Sequence, residues 1–155
     1  MGMKVYLACT VRGDRAAVAA LRSACARLQA YGHDVLTAHL LCDDVEEQEA
    51  GLSARDVFER DLAWLESCDV LMAEASGSSF GVGFEVGYVL ARAPATGQRV
   101  YLLYDSARQD RISRLIAGNA HPQCTRLAYR SPAELLAFVD AHFGPPRPAA
   151  ATAAS

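Results

Sequence analysis

The feature that most restricts this chain is a repeated alternation: a short apolar, β-prone run followed by a segment whose apolar residues recur at helical spacing. The alternation begins with Lys4–Cys9, after which Val18, Leu21, Ala24, Cys25 and Leu28 follow the helical period from Arg15 onward. Val35–Thr37 predicts a second strand, and Ser53 is placed to cap a helix carrying Val57, Phe58, Leu62 and Leu65. Asp69–Ala73 predicts the third strand, and after a glycine-rich turn a helix is expected over Phe84–Ala91. Strands at Arg99–Tyr104 and Thr125–Tyr129, with helices at Arg111–Ala117 and Ser131–Phe143, complete the pattern. Gly32 punctuates the end of the first helix.

Parallel strands need crossovers of one hand, and such crossovers put helices on both faces of the sheet. The expected fold is therefore α/β: a single Rossmann-like or flavodoxin-like domain with a five-stranded parallel sheet in the order 2-1-3-4-5. At 155 residues, 52% of them hydrophobic, the chain has enough apolar material for one such core and too little length for two. That domain is expected over residues 1–143, with a disordered Pro/Ala-rich tail over 144–155. In such folds ligands sit beyond the carboxyl ends of the strands, where strands 1 and 3 send the chain to opposite sides.

Charge and cysteine usage remove several function classes. A net charge of −3 provides no positive field to collect a nucleic-acid polymer, so any anion must be held locally. The five cysteines, Cys9, Cys25, Cys42, Cys68 and Cys124, are scattered without a C-x-x-C pair or zinc-like histidine spacing, and are expected to be reduced structural thiols. No signal-peptide pattern and no membrane-length apolar run is present, and Tyr6 stands where a myristoylation motif after Gly2 needs Ser or Thr. A cytoplasmic enzyme without metal or redox cofactor is the expectation. The acidic run Asp43–Glu49 is expected to be a solvated loop without a catalytic role.

Two segments reach the ligand edge with chemistry to offer. Thr10-Val11-Arg12-Gly13-Asp14 leaves the first strand and opens a helix, where unpaired N–H groups and a forked guanidinium suit a phosphate; an ordinary strand-to-helix turn fits the same residues. Ser79-Phe80-Gly81-Val82-Gly83-Phe84-Glu85-Val86-Gly87 follows the third strand. Its glycines allow close approach of a ligand, and Glu85 is expected in the first helical turn, where a lone glutamate is often only a dipole partner. Asp61, on the preceding helix, supplies a second carboxylate, and two carboxylates on one pocket can divide nucleophilic and proton-handling work. Asp61 pairing with a nearby arginine on a solvated face is the alternative. Glu74 at the end of the third strand ranks behind these two, and His39 at the end of the second could touch a base or serve only as a strand-end hydrogen-bonding group.

Taken together, Tyr6–Gly13, Asp61–Leu65, Asp69-Val70 and Ser79–Gly87 resemble the nucleoside 2-deoxyribosyltransferase superfamily, most nearly its 2'-deoxynucleoside 5'-phosphate N-hydrolase branch. The resemblance runs from about Lys4 to Phe143. It implies that Glu85 attacks C1' of a deoxyribose, that Asp61 orients the sugar and assists proton transfer to the departing base, and that Tyr6 crowds the 2' position. It also implies a phosphate cradle made by Thr10, Val11, Arg12, Gly13, Ser79, Gly81 and Gly83. Transferases of the superfamily carry an acid six residues before the nucleophile; this chain has Ser79, which can donate to a 5'-phosphate instead of repelling it. Ser113 matches a serine that reaches the phosphate of a neighbouring subunit, which implies a homodimer.

Thr10 replaces the usual serine, Phe84 a common tyrosine, and Asp14 a frequent glycine. The expected activity is hydrolysis of 2'-deoxynucleoside 5'-monophosphates. The alternatives are deoxyribosyl transfer between bases and non-catalytic nucleotide binding; a cytokinin-type phosphoribohydrolase is disfavoured because its longer glycine-threonine-glutamate motif is missing.

Overall fold

Five parallel strands, β1 (Lys4–Ala8), β2 (Asp34–Val35), β3 (Val70–Glu74), β4 (Arg99–Asp105) and β5 (Cys124–Tyr129), pair in the order β2-β1-β3-β4-β5. This is the order expected from the alternation. The computed structural model describes residues 2–12 and 14–145, so Gly13 and nearly all of the expected tail, 146–155, lie outside the described residues.

The helices are α1 (Val18–Ala30), α2 (Val45–Glu49), α3 (Ala54–Ser67), α4 (Phe80–Thr96), α5 (Arg114–Ala117) and α6 (Pro132–Phe143), with 3-10 turns at Ala38–Leu41 and Ser106–Arg111. Side chains alternate across the sheet. Val5, Leu7, Val70, Met72, Tyr101 and Leu103 point to the face covered by α1 and α6, packing on Leu21, Leu28, Leu135 and Phe143. Tyr6, Ala8, Leu71, Ala73, Val100 and Leu102 point to the other face, under Leu65 of α3 and Val82, Val86 and Val89 of α4. Each large aliphatic side chain fully removed from water contributes about 1.5–3 kcal/mol, so both faces hold the sheet.

Ends are fastened by side chains. Ser53 and Asp56 form a reciprocal capping box at the start of α3. Buried Gln98 donates from Nε2 to the carbonyls of Leu65 (2.7 Å) and Cys68 (2.9 Å), satisfying acceptors that the end of α3 leaves over. Gly97 closes α4 with φ 76°, a left-handed conformation that costs glycine little.

Several expectations are corrected. The first helix begins at Val18, not Arg15, because the segment before it is occupied by turns. Asp43–Glu49 is not a loop throughout: Val45–Glu49 forms α2, anchored by buried Val45. The glycine-rich turn before Phe84 is largely helix, since α4 starts at Phe80 and is capped by Ser79. The expected helix at Arg111–Ala117 is divided into the 3-10 turn Ser106–Arg111 and the short α5.

The second strand is also shorter than expected, and Thr37 shows why this is tolerated. Its Oγ1 accepts from Leu7 N (2.8 Å) and donates to Leu7 O (2.7 Å), so a side chain makes the ladder bonds that a longer β2 would have made. Thr37 is fully buried. Thr37→Val keeps the shape and strands both backbone groups, at a cost of about 1–3 kcal/mol for each unsatisfied group. Urea unfolding of this variant is expected to show a lower midpoint with an unchanged slope; an unchanged midpoint would count against the assigned role.

Candidate active site

β1 and β3 are neighbours whose outgoing segments, 9–12 with 14–17 and 75–79, face each other at the carboxyl edge of the sheet. The two segments interlock at Gly77: a Cβ there would lie 2.2 Å from Thr10 Oγ1 and 2.8 Å from the carbonyl oxygen of Asp14, so only glycine fits. Ser78 beside it adopts φ 50°, an uncommon conformation for a non-glycine residue, and donates to the carbonyl of Arg111 at 3.3 Å. Thr10 is buried, and its Oγ1 has no hydrogen-bond partner among the described residues. Val11 is half-buried and Arg12 exposed, while Gly13 is outside the described residues. Asp14, the acid where glycine is frequent, is paired with Arg108 and caps the Ala16 N–H, interactions that hold its carboxyl below the usual range.

Ser79 is the N-cap of α4, with Oγ accepting from Val82 N at 3.4 Å. Gly81 and Gly83 are therefore helical. Glu85 is in the second turn rather than the first, too far along for the simple dipole-partner reading. It shares a side of α4 with Val82 and Val89, the side turned to the sheet. There Tyr6 of β1 donates its hydroxyl to Glu85 Oε1 at 2.7 Å. Burial pushes the Glu85 carboxyl up to about 7, assisted by the charge of Asp61 and opposed by the Tyr6 hydrogen bond. The Tyr6 hydroxyl is held far above its ordinary value by burial and then by the neighbouring carboxylates, so it remains a donor.

Asp61 does pair with an arginine, but not on a solvated face. The Arg60 guanidinium is 2.8 Å from Asp61 Oδ1 and 2.7 Å from Glu49 Oε1, and all three side chains are partly buried. Arg60 also lies 4.8 Å from the Trp64 ring centre. His39, in the 3-10 turn after β2 instead of on the strand, is 3.4 Å from Glu49 Oε1 and meets the edge of Trp64. Burial raises the Asp61 carboxyl pKa despite Arg60. Trp64, spaced one helical turn after Arg60, was the available sequence signal for this cluster; Glu49 was hidden in an acidic run.

Glu74 is buried away from the Tyr6–Glu85 pair, taking hydrogen bonds from Ser76 Oγ, Ser76 N and Tyr129. Ser76 Oγ also accepts from Asp105 N at 2.8 Å, so this network ties the ends of β3, β4 and β5 behind the 75–79 segment. Ser79 and Ser113 line one cavity of about 460 Å³ together with Ser78, Phe80, Phe84 and Leu115. Its lining does not include Glu85, Asp61 or Tyr6.

A carboxyl raised from 4.5 to about 7 binds its proton more tightly in the folded state. Its contribution to stability is full below the unfolded value and is lost as pH rises through about 7, by up to about 3 kcal/mol. Glu85→Gln, which never ionises, should thus gain in melting temperature over the wild type at pH 8 by roughly 5 °C relative to the difference at pH 5. Equal differences at the two pH values would contradict the raised carboxyl.

The chain is similar to proteins of one family. The family model described as nucleoside 2-deoxyribosyltransferase matches residues 5–123. A Thermofilum pendens protein whose name assigns it to the 2'-deoxynucleoside 5'-phosphate N-hydrolases is 41% identical over 138 residues, covering 89% of this chain and 93% of its own. The 5-hydroxymethyl-dUMP N-hydrolase of Homo sapiens is 30% identical over 141 residues, covering 90% and 78%. Among solved structures, the CMP N-glycosidase BcmB of Clostridium botulinum shares the fold with a TM-score of 0.65 at 19% identity, covering 90% of this chain and 99% of that one. The chain belongs to the nucleoside 2-deoxyribosyltransferase family.

Proposed function

We propose that this chain hydrolyses the N-glycosidic bond of 2'-deoxynucleoside 5'-monophosphates to a free base and 2-deoxyribose 5-phosphate. The observation that carries the reading is Glu85, a partly buried carboxylate with Oε1 occupied by the Tyr6 hydroxyl and Oε2 left for attack. In the first displacement Glu85 forms an ester bond to C1' while the C1'–N bond breaks, its electron pair leaving with the base. Asp61 assists proton delivery to that base. Water then attacks C1', gives up a proton to the carboxylate that acted as acid, and frees Glu85; two displacements give retention. Tyr6, fully buried and hydrogen-bonded to Glu85, is assigned the crowding of the 2' position.

The phosphate is assigned to the mouth between the 9–17 and 75–79 segments. Thr10 offers a buried hydroxyl without a partner among the described residues, and Ser79 holds the start of a 17-residue helix, where N–H groups favour an anion. Arg12 and Val11 are assigned to the same cradle, while Gly13 lies outside the described residues. The names of relatives support the same substrate class. Deoxyribosyl transfer shares the first step and differs in the acceptor; Ser79 in place of an acid favours a phosphorylated donor. His39 is assigned to the base side. The catalytic domain is taken as residues 1–143, and the five free cysteines fit a reducing cytoplasm. No described helix is long and apolar enough to cross a membrane.

Incubation with deoxynucleotides, including 5-hydroxymethyl-dUMP, and with the matching nucleosides is expected to release base from the monophosphates. Glu85→Gln should lower turnover by at least about 10³-fold while leaving binding intact. Base exchange from unphosphorylated donors would favour transfer, and binding without base release would favour a non-catalytic role.

We further propose a homodimer in which Ser113 reaches the partner's phosphate site. Phe80 is 100% and Leu115 84% exposed beside the apolar cavity that also holds Ser113, a surface suited to a second copy. Sedimentation should give a dimer that Leu115→Glu converts to monomer, with Ser113→Ala raising KM for monophosphates; a monomeric, fully active wild type would refute it.

A further inference from the structure

The acidic segment between β2 and α3 contributes more to the site than charge on the surface. Glu49 and Arg60 are eleven positions apart in sequence, on different helices, yet their side chains meet at 2.7 Å. Arg60 and Asp61 are adjacent on α3, and neighbours on a helix do not ordinarily face one another. Here the arginine folds back so that Nε and Nη2 both reach Asp61 Oδ1, while Nη2 also meets Glu49 and the guanidinium lies over the Trp64 ring. Glu49 is in turn approached by His39, whose ring also packs on Trp64. A solvent-exposed pair of this kind would be mobile and energetically minor. These side chains are only 22% (Arg60), 18% (Glu49) and 21% (Asp61) exposed, and the aromatic ring removes much of the arginine's remaining freedom.

A carboxylate has two oxygens, and a proton can be delivered in a fixed direction only if one of them is committed elsewhere. We propose that Arg60, gripped by Glu49 and seated on Trp64, is a positioning residue that pins Oδ1 of Asp61 and presents Oδ2 to the substrate, with Glu49 acting through it. The inference rests on the N-hydrolase reading for the identity of the substrate, but the clamp itself is a property of the folded protein. The groups facing Asp61 are Arg60 on its own helix, Glu49 of α2, His39 of the 3-10 turn, and Tyr6 and Glu85 from β1 and α4. Of these, Arg60 and Glu49 act on the Asp61 charge in opposite senses.

That opposition supplies a test that general damage to the fold would not imitate. Asp61 is followed by carbon NMR of labelled aspartate carboxyls, assigned with Asp61→Asn, in the wild type, Glu49→Gln, Glu49→Asp and Arg60→Met. Loss of the Glu49 charge should move the Asp61 titration down and loss of the Arg60 charge should move it up, each by on the order of half to one pH unit. With a deoxynucleotide substrate, kcat should fall about ten-fold in Glu49→Gln and further in Arg60→Met, with KM within about two-fold, as expected for a misdirected group. Glu49→Asp should recover part of the loss.

Unmoved or parallel titration shifts, or kcat retained in both variants, would overturn the clamp. A wild type that releases no base would defeat the functional reading alone, and opposed shifts in that protein would still support the clamp. If Arg60→Met fails to fold, the near-isosteric Glu49→Gln decides the matter by the same two readouts.

Discussion

Parallel pairing of β1 with β3 governs the rest of the molecule. Two adjacent parallel strands deliver their chains to the same edge of the sheet, and with β2 outside β1 and β4 outside β3 the chains must then part to opposite faces. The divergence opens a cleft that the fold would have to maintain even without a ligand. Its walls are the segment that leads to α1 and the segment that leads to α4, locked together at Gly77. Tyr6 and Glu85 meet because β1 and α4 share one face of the sheet, so the hydrogen bond between them is a consequence of topology.

The electrostatics of the site follow from packing carboxylates into a partly apolar seam. The charge of Asp61 acts on Glu85 and that of Glu49 on Asp61, with the Arg60 guanidinium opposing the latter. Burial and mutual repulsion favour protonated carboxyls, while Tyr6 and Arg60 favour ionised ones. The result is a pair of acids with different supports: a neutral phenol on Glu85, a cation on Asp61. The two acids therefore differ in what favours their ionised forms. Glu74 has similar burial but a different fate, since its hydrogen bonds are spent on joining strand ends.

The fold was legible in the sequence because it rests on periodicity, and apolar side chains in the five strands mark their faces residue by residue. Glu85 and Asp61 could be named as candidates from their sequence settings, and the fold brings Asp61 near enough for its charge to act on Glu85. The helical start of α4 was not. Glycines at 81 and 83 weaken local helix propensity, but a Ser79 cap and the packing of Val82 and Val86 overcome it. Glu49 was concealed for another reason: its meaning depends on a partner brought near only by the folded chain, and an acidic run looks the same whether or not one member finds an arginine. The end of β2 was misjudged because Thr37 has strand-like composition and a strand-like role, carried out by its side chain.

Thr37 has a consequence for how the protein lives among other chains. A strand flanked by a two-residue neighbour would normally expose a stretch of unused donors and acceptors, a template onto which any extended segment could add. The hydroxyl occupies both groups of Leu7 at the place where that template would begin. The sheet is thus shielded from unwanted strand addition on this flank by one small side chain, and the backbone beyond it is released to turn His39 toward Glu49 and Trp64.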